Sequence, residues 1–511
     1  MTPVQAAGRR PFSPGVCYDT RTSQKCPGTA TTRPEELSVQ DLFRRKSLES
    51  LVHAGQSSQL KRVLGKWGLT SFGIGSIIGS GIFVLTGTAA ATHAGPGIML
   101  SFVVAAIACG FAGLCYAELA SMIPLAGSAY TYAYATLGEL IAWIIGWDLL
   151  LEYAIGNGAV AVSWGEHLAR ILEGFGVHIP HALMAGPWHD PPGIVNLPAM
   201  VICFVISWLL VKGVKESTNT NNFFVVLKLA IIILFITLGS FWVAPTNWVP
   251  FLPFGSKGIL AGAGLVFFAY IGFDAVSTAT EEAINPQKDV PFGMMMSLVV
   301  CTVLYIAVAA VMTGLVPYHM LNNATPMATA LDVTGQNWAK ALYLYGALAG
   351  LTSVLLVFSL GQTRILYSMS RDGLLPRFMS RVHPKYATPH INTWIVGVIT
   401  AAGAGLLKID VLAEMCNIGT LFAFVIVCIG VLVLRRTHPH AERAFRCPGA
   451  PVVPLAGIAM CGTLILHESY ATQLRFVAWL AVGLVVYFAY SRRRSVLRTG
   501  ERVEGPDLPA H

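Results

Sequence analysis

From residue 69 onward the chain repeats one pattern: long apolar runs separated by short polar connections. A helix needs about 18 or more apolar residues to cross a bilayer, and runs of that kind recur to the end of the sequence. Twelve are counted, at 69–93, 97–121, 131–164, 195–213, 222–243, 258–281, 292–316, 341–368, 391–407, 411–434, 452–468 and 474–490. They predict an all-α polytopic membrane protein with 12 transmembrane helices and a transporter domain over 65–491. Residues 1–64 read as a cytoplasmic tail and 492–511 as a basic one. The first tail lacks the short apolar core and small-residue cleavage site of a secretory signal, so the first span is the first anchor. Its polar composition predicts disorder over 1–36. Over 35–53, Leu37, Leu42, Phe43, Leu48 and Leu51 lie among charges and fit either an interfacial helix or a mixture of loop and coil.

Composition agrees: 54% of the 511 residues are hydrophobic and 12% charged, with a mean hydropathy of +0.62, far from soluble proteins. Lys and Arg in short loops mark the cytoplasmic side. With the N-terminus inside, the inner loops hold Lys212, Lys215, Lys288, Arg371, Arg377, Arg381, Lys385, Arg435, Arg436, Arg443 and Arg446. The outer loops carry scattered charges such as Arg170, Lys257, Lys408 and Arg475. Both termini are therefore expected in the cytoplasm, beneath the plasma (inner) membrane. Topology thus accounts for the net charge of +8 without a nucleic acid partner, while the tails would be attracted to anionic lipid. Cys109, Cys115, Cys203, Cys301, Cys428 and Cys461 fall in spans, and Cys17, Cys26 and Cys447 in inner segments, so no structural disulfide is expected. An outer loop holds His178, His181 and His189 without the cysteines or carboxylates of a metal site, and reads as ordinary loop. No metal or cofactor is expected.

The first span contains GIGSIIGSGIF at 73–83, four glycines in an otherwise apolar helix. Taken alone, Gly75 and Gly79 fit close helix packing. A second glycine-interrupted span, GAGLVFFAYIGFD at 262–274, lies five spans later and brings Asp274 to membrane depth. Paired broken spans point to a transporter built from inverted repeats. Five being odd, the second unit starts on the opposite side of the bilayer. The repeats would cover about 69–243 and 258–434, with the spans at 452–490 appended. Freed backbone groups are tolerated at membrane depth only where protein or a polar cavity receives them. Unwinding over Ile77, Ile78, Gly79, Ser80 and Gly81 would expose helix-start N–H groups suited to a carboxylate. Carbonyls of Phe268, Ala269, Tyr270 and Ile271 would accept from an ammonium. Together they would read the zwitterionic head of an L-amino acid.

Six blocks in order, GIGSIIGSGIFVLTG at 73–87, GWDLLLEYAIGNG at 146–158, NNFFVVLKLA at 221–230, FFAYIGFDAVSTATEEAINPQKDVP at 267–291, GQTRILYSMSRDGLLP at 361–376 and FRCPGAPVVPLAG at 445–457, carry a resemblance. Over roughly 40–490 the chain resembles the amino acid–polyamine–organocation superfamily, most closely bacterial members of its cationic amino acid transporter branch. The resemblance implies a LeuT-like core of 5+5 helices with the first and sixth broken. It also implies alternating access, in which spans 1, 2, 6 and 7 rock against the rest.

Lys228 lies in an apolar stretch, where a charge at mid-membrane costs about 2.5–3.5 kcal/mol on insertion scales. Either its stem snorkels to the interface or its ammonium acts inside the protein. The resemblance places it between spans 1 and 8, near the carbonyls of Gly75 and Ile78 and the hydroxyl of Thr352 or Ser353, where proton loss would loosen the broken helix. Glu152, one turn after Asp148, serves either proton relay and substrate contact or structural hydrogen bonding; the resemblance puts it near the central cavity. Asp274 would hold the second break open or take part in proton handling. Phe268 is expected to gate the site, and Phe358 on the eighth span either packs as an ordinary helix residue, the favoured reading, or narrows the side-chain pocket. Arg364, Arg371, Asp372, Glu281 and Glu282 are assigned to topology and an inner gate.

These features predict a secondary active permease importing L-amino acids, neutral or broad in range, with protons as coupling ion. A cationic substrate stays open because of the branch resembled. Alternatives are an amino acid exchanger, an organic cation exporter and a membrane amino acid sensor; a small membrane subunit is also left open. No nucleophile elbow, nucleotide loop or metal spacing supports an enzyme.

Overall fold

In the computed structural model, residues 42–46, 62–123, 125, 127–213, 218–386 and 388–499 are described, without the side chains of 218–221. The expected disorder of 1–36, most of the 35–53 helix and the end of the basic tail lie outside them. The described residues all belong to a unit that begins at Leu42.

Helices form where the apolar runs predict them, and their ends follow local chemistry. They are α1 Lys66–Ile77, α2 Ile98–Met122, α3 Ser128–Thr136, α4 Glu139–Gly174, α5 Leu197–Val211, α6 Thr218–Ser240, α7 Gly255–Phe267, α8 Pro286–Leu315, α9 Pro326–Asp332, α10 Asn337–Arg371, α11 His390–Leu406, α12 Ile409–Thr437, α13 Val452–His467 and α14 Tyr470–Val486. Asn196 caps α5, its side chain accepting from the Ala199 N–H, and Ser469 caps α14 through the Thr472 N–H. Pro286 opens α8, where its missing N–H is harmless. Among the described residues the backbone is helical throughout apart from connections and one isolated bridge, Leu64 to Ala283.

Among the described residues, seven helical runs are long and apolar enough to cross a membrane: Gly81–Met122, Asn222–Ser240, Gly255–Glu282, Pro286–Leu315, Asn337–Arg371, Ile409–Thr437 and Tyr470–Thr499. Helices α5, α11 and α13 are apolar but shorter. Two predicted spans differ in outline. The first, expected as 69–93, is split after Ile77 into α1 and a helical stretch of α and π turns over 81–94. The third, expected as 131–164, is split at Gly138 (φ +102°) and then continues to Gly174. A side chain at Gly138 would meet the Phe43 backbone at 2.7 Å, so the close approach of the 42–46 segment explains that glycine.

Packing sorts the helices into two groups. Helix α8 packs on α1 and α2, and α2 on α7. Helix α4 packs on α10, α12, α11 and α5, and α11 on α5. Helix α6 bridges them, touching α10, α1 and α8. The two broken segments are thus held by one group and faced by the other.

Several charges read from sequence as topology markers form ion pairs at one end of the bundle. Fully buried Glu118 of α2 accepts from Arg435 Nε (3.0 Å) and Nη2 (2.5 Å), Arg443 Nε (3.2 Å) and the Cys447 N–H (2.8 Å). This ties α2 to α12 and to the 445–451 loop. Removing one member of a buried, hydrogen-bonded charge set costs about 3–5 kcal/mol. Glu118→Ala should therefore lower the thermal unfolding midpoint of the purified protein clearly; an unchanged midpoint would show that the pairing contributes nothing. At the same end, Asp372 pairs with Lys46 (2.7 Å) and accepts from the Tyr130 hydroxyl (2.6 Å). Glu139 accepts from Tyr134, Tyr487 and Ser495.

Candidate functional site

The two breaks meet. Helix α1 ends where Ile78 turns extended (φ −74°, ψ 101°), and the chain becomes helical again from Gly81. Helix α7 ends at Phe267, passes one 3-10 turn, Phe268–Tyr270, and is non-helical over 271–273 before a second 3-10 stretch, Asp274–Glu282. A Cβ on Gly81 would lie 2.3 Å from Ala269 Cα, and one on Gly272 (φ +112°) would lie 2.8 Å from Ser76 O. Backbone packs on backbone at both points, which only glycine permits. The glycines therefore serve both close packing and the breaks.

A cavity lies at this junction, lined by Ile77, Gly79, Ser80, Gly81, Phe268, Ile271 and Phe358 of the predicted set, with Ser76, Val160 and Val354 added. Its volume is about 10 Å³, roughly the room needed to hold one water. An amino acid therefore needs side chains or half-helices to move before it fits. Phe268 and Phe358 are both buried in its wall. Its polar lining is Ser76, Ser80 and backbone, and the buried Ser80 hydroxyl has no hydrogen-bond partner. The remaining side chains, Ile77, Ile271, Val160, Val354, Phe268 and Phe358, are apolar.

Three predicted residues stand outside this lining: Ile78, Ala269 and Tyr270. Ala269 packs on Gly81. Tyr270 is fully buried and donates from its hydroxyl to Phe102 O (3.0 Å). A residue missed from sequence takes the released carbonyls: the Tyr305 hydroxyl of α8 lies 3.1 Å from Ile77 O and 3.0 Å from Ala269 O. One hydroxyl hydrogen thus serves both breaks. An unmet buried acceptor costs about 1–3 kcal/mol. Tyr305→Phe should lower uptake at least tenfold and destabilise the purified protein; wild-type uptake would show that the carbonyls need no such donor.

Lys228 is fully buried, and its Nζ donates to Gly75 O at 2.7 Å, in the turn before the first break. Its ammonium lies inside the protein rather than at the interface. Its stem lies along Gly350 of α10, where a Cβ would sit 3.0 Å from Lys228 Cγ. Thr352 is engaged elsewhere, donating to Leu348 O (2.9 Å) and accepting from Trp164 Nε1 (3.0 Å). The Ser353 hydroxyl is buried without a partner.

The carboxylates occupy another side of the junction. Asp148 and Glu152 are buried in α4 facing α12: Asp148 Oδ1 would be 2.7 Å from a Cβ on Gly419, and the Glu152 carbonyl accepts from Cys416 Sγ (3.3 Å). Both Asp148 oxygens and Glu152 Oε2 have no hydrogen-bond partner. Asp274 is buried at the start of the 3-10 stretch, against the N–H groups of Gly272 and Ala275. Arg364 and Glu282, 4.0 Å apart and partly exposed, link α10 to the end of that stretch.

A family model described as amino acid permease matches residues 64–490. The chain is 50% identical to the branched-chain amino acid permease BcaP of Bacillus subtilis over 461 residues, 89% of this chain and 99% of the relative. It is 48% identical to the methylthioribose transporter of the same organism over 459 residues, 90% of this chain and 100% of the relative. It is 40% identical to vacuolar cationic amino acid transporter 4 of Arabidopsis thaliana, covering 78% of this chain and 68% of the relative.

Proposed function

The chain belongs to the amino acid permease family, is an integral membrane amino acid permease, and from that premise we propose that it imports neutral aliphatic L-amino acids together with protons. The observation that carries this reading is the cavity where two broken helices meet, polar through backbone and two serines and apolar elsewhere. A carboxylate would accept from the N–H groups at the start of the 81–94 helix, and an ammonium would donate to carbonyls of the 268–271 segment. The side chain would meet Val160, Val354, Phe268 and Phe358. An Arg or Lys side chain there would find no carboxylate in the lining, which favours a neutral substrate over a cationic one. The relative named for branched-chain amino acids supports the same choice.

The helices are taken as 12 spans in two inverted repeats of five with two appended, both termini in the cytoplasm and the protein in the plasma membrane. The group containing α1, α2, α7 and α8 would rock against the group around α4 and α10, opening the cavity to each side in turn. Protonated Lys228 would hold α1 against α10 in one state, and proton loss would release it. Glu152, Asp148 and Asp274, buried together beside the second break, would carry protons or steady the break.

Labelled leucine uptake into proteoliposomes, with unlabelled competitors, tests the substrate class. Alanine, valine and leucine should compete and arginine should not. Strong competition by arginine would overturn the neutral reading. A second reading comes from the relative named for methylthioribose, also a neutral solute. Competition by methylthioribose alone would favour it.

A further inference from the structure

We propose that Asn417 of α12 is a positioning residue for the substrate site: its side-chain amide takes the place of a helix N–H and holds the second break in the shape that aims Phe268 and the 268–271 carbonyls. This rests on the amino acid permease reading. In an unbroken helix the Phe268 N–H would donate to the carbonyl four residues earlier, that of Gly264. Here it turns to Val266 O as α7 ends. Gly264 O accepts instead from Asn417 Nδ2, at 2.8 Å and across 153 residues of chain.

Asn417 is fully buried, and among the described residues its Oδ1 has no hydrogen-bond partner. A polar side chain is costly to bury, and the one bond this amide makes goes to a carbonyl that the break has left open. An apolar residue of the same size would fill the space and leave Gly264 O unmet. The Phe268 N–H would then return to that carbonyl, and the α-helix would run on into the break.

A second contact from α12 lies on the same face. Phe424 follows Asn417 by seven residues, about two turns, and its ring lies 5.8 Å from that of Phe267 and 5.2 Å from that of Phe273. Phe267 is the last residue of α7, and Phe273 is the last before the Asp274–Glu282 stretch. Helix α12 therefore spans the break as a splint, with an amide at one end and an aromatic ring at the other. From the opposite group of helices, Tyr305 of α8 holds Ala269 O. Phe268 lies between the two tied carbonyls, so its place in the cavity wall is set from both groups at once.

Uptake kinetics of labelled L-leucine by the full-length protein in proteoliposomes, per folded protein counted by size-exclusion chromatography, test this. Asn417→Leu and Asn417→Met, which fill the space without a donor, should each raise KM about tenfold or more with Vmax within about threefold of wild type. Asn417→Gln, which keeps the amide, should stay within about threefold of the wild-type KM. An unchanged KM in the Leu and Met variants, whether or not Vmax falls, would make Asn417 a support of the fold alone and overturn the proposal. So would a KM in the Gln variant as high as in the Leu variant, or the failure of all three to fold. Wild type that takes up no leucine would instead overturn the substrate reading on which the proposal rests.

Discussion

Gly81→Val should abolish amino acid uptake, while Gly110→Ala in α2 leaves it near wild type. The contrast comes from what each new side chain meets. At Gly81 even a methyl group would lie 2.3 Å from Ala269 Cα and 2.8 Å from its nitrogen, whereas nothing lies within 4 Å of a Cβ at Gly110. The atoms in the way at Gly81 are backbone, so no rotamer change relieves the clash. Overpacking costs about 1–3 kcal/mol, and here the whole strain falls on the two segments that would hold the substrate head. Uptake by Gly81→Val in proteoliposomes at wild-type rates would mean that the broken segments do not form the site.

Lys228→Met should remove the response of uptake to a proton gradient while leaving folded protein. Methionine fills most of the volume along Gly350 and takes away only the ammonium that donates to Gly75 O. A fully buried amine is costly unless used, and this one donates to the backbone one turn before a break. Proton binding and release at this amine would therefore couple to how firmly α1 is held. Uptake by Lys228→Met that keeps full stimulation by an inward proton gradient would remove Lys228 from the coupling scheme. Gly350→Ala, with its Cβ 3.0 Å from the lysine stem, should displace the same ammonium and weaken the gradient response.

Much of this was legible in the chain because it is written locally. Glycines cluster where backbones must touch, and a lysine inside an apolar run announces itself against its surroundings. Phe268, Ile271 and most of 77–81 line the cavity as the two interrupted spans imply, and Phe358 joins them from α10. What sequence reading missed depends on partners distant in sequence. Tyr305 looks like any aromatic residue of a span, yet it reaches Ile77, 228 residues away. Glu118 carries no local signal, and Arg435 and Arg443 mark only topology in the sequence, because their pairing spans more than 300 residues. Tyr270 shows the converse: it lies two residues after Phe268 but turns to Phe102, since two residues of 3-10 helix rotate a side chain by about 240°.

The central claim is that an amino acid binds between the two breaks and crosses with protons. The most direct test is uptake of labelled alanine into proteoliposomes with and without an imposed inward proton gradient, with arginine as a parallel substrate. Gradient-stimulated alanine uptake, with little arginine uptake, is the result expected. Uptake that requires an amino acid on the other side and ignores the gradient would contradict proton coupling and mark the protein as an exchanger.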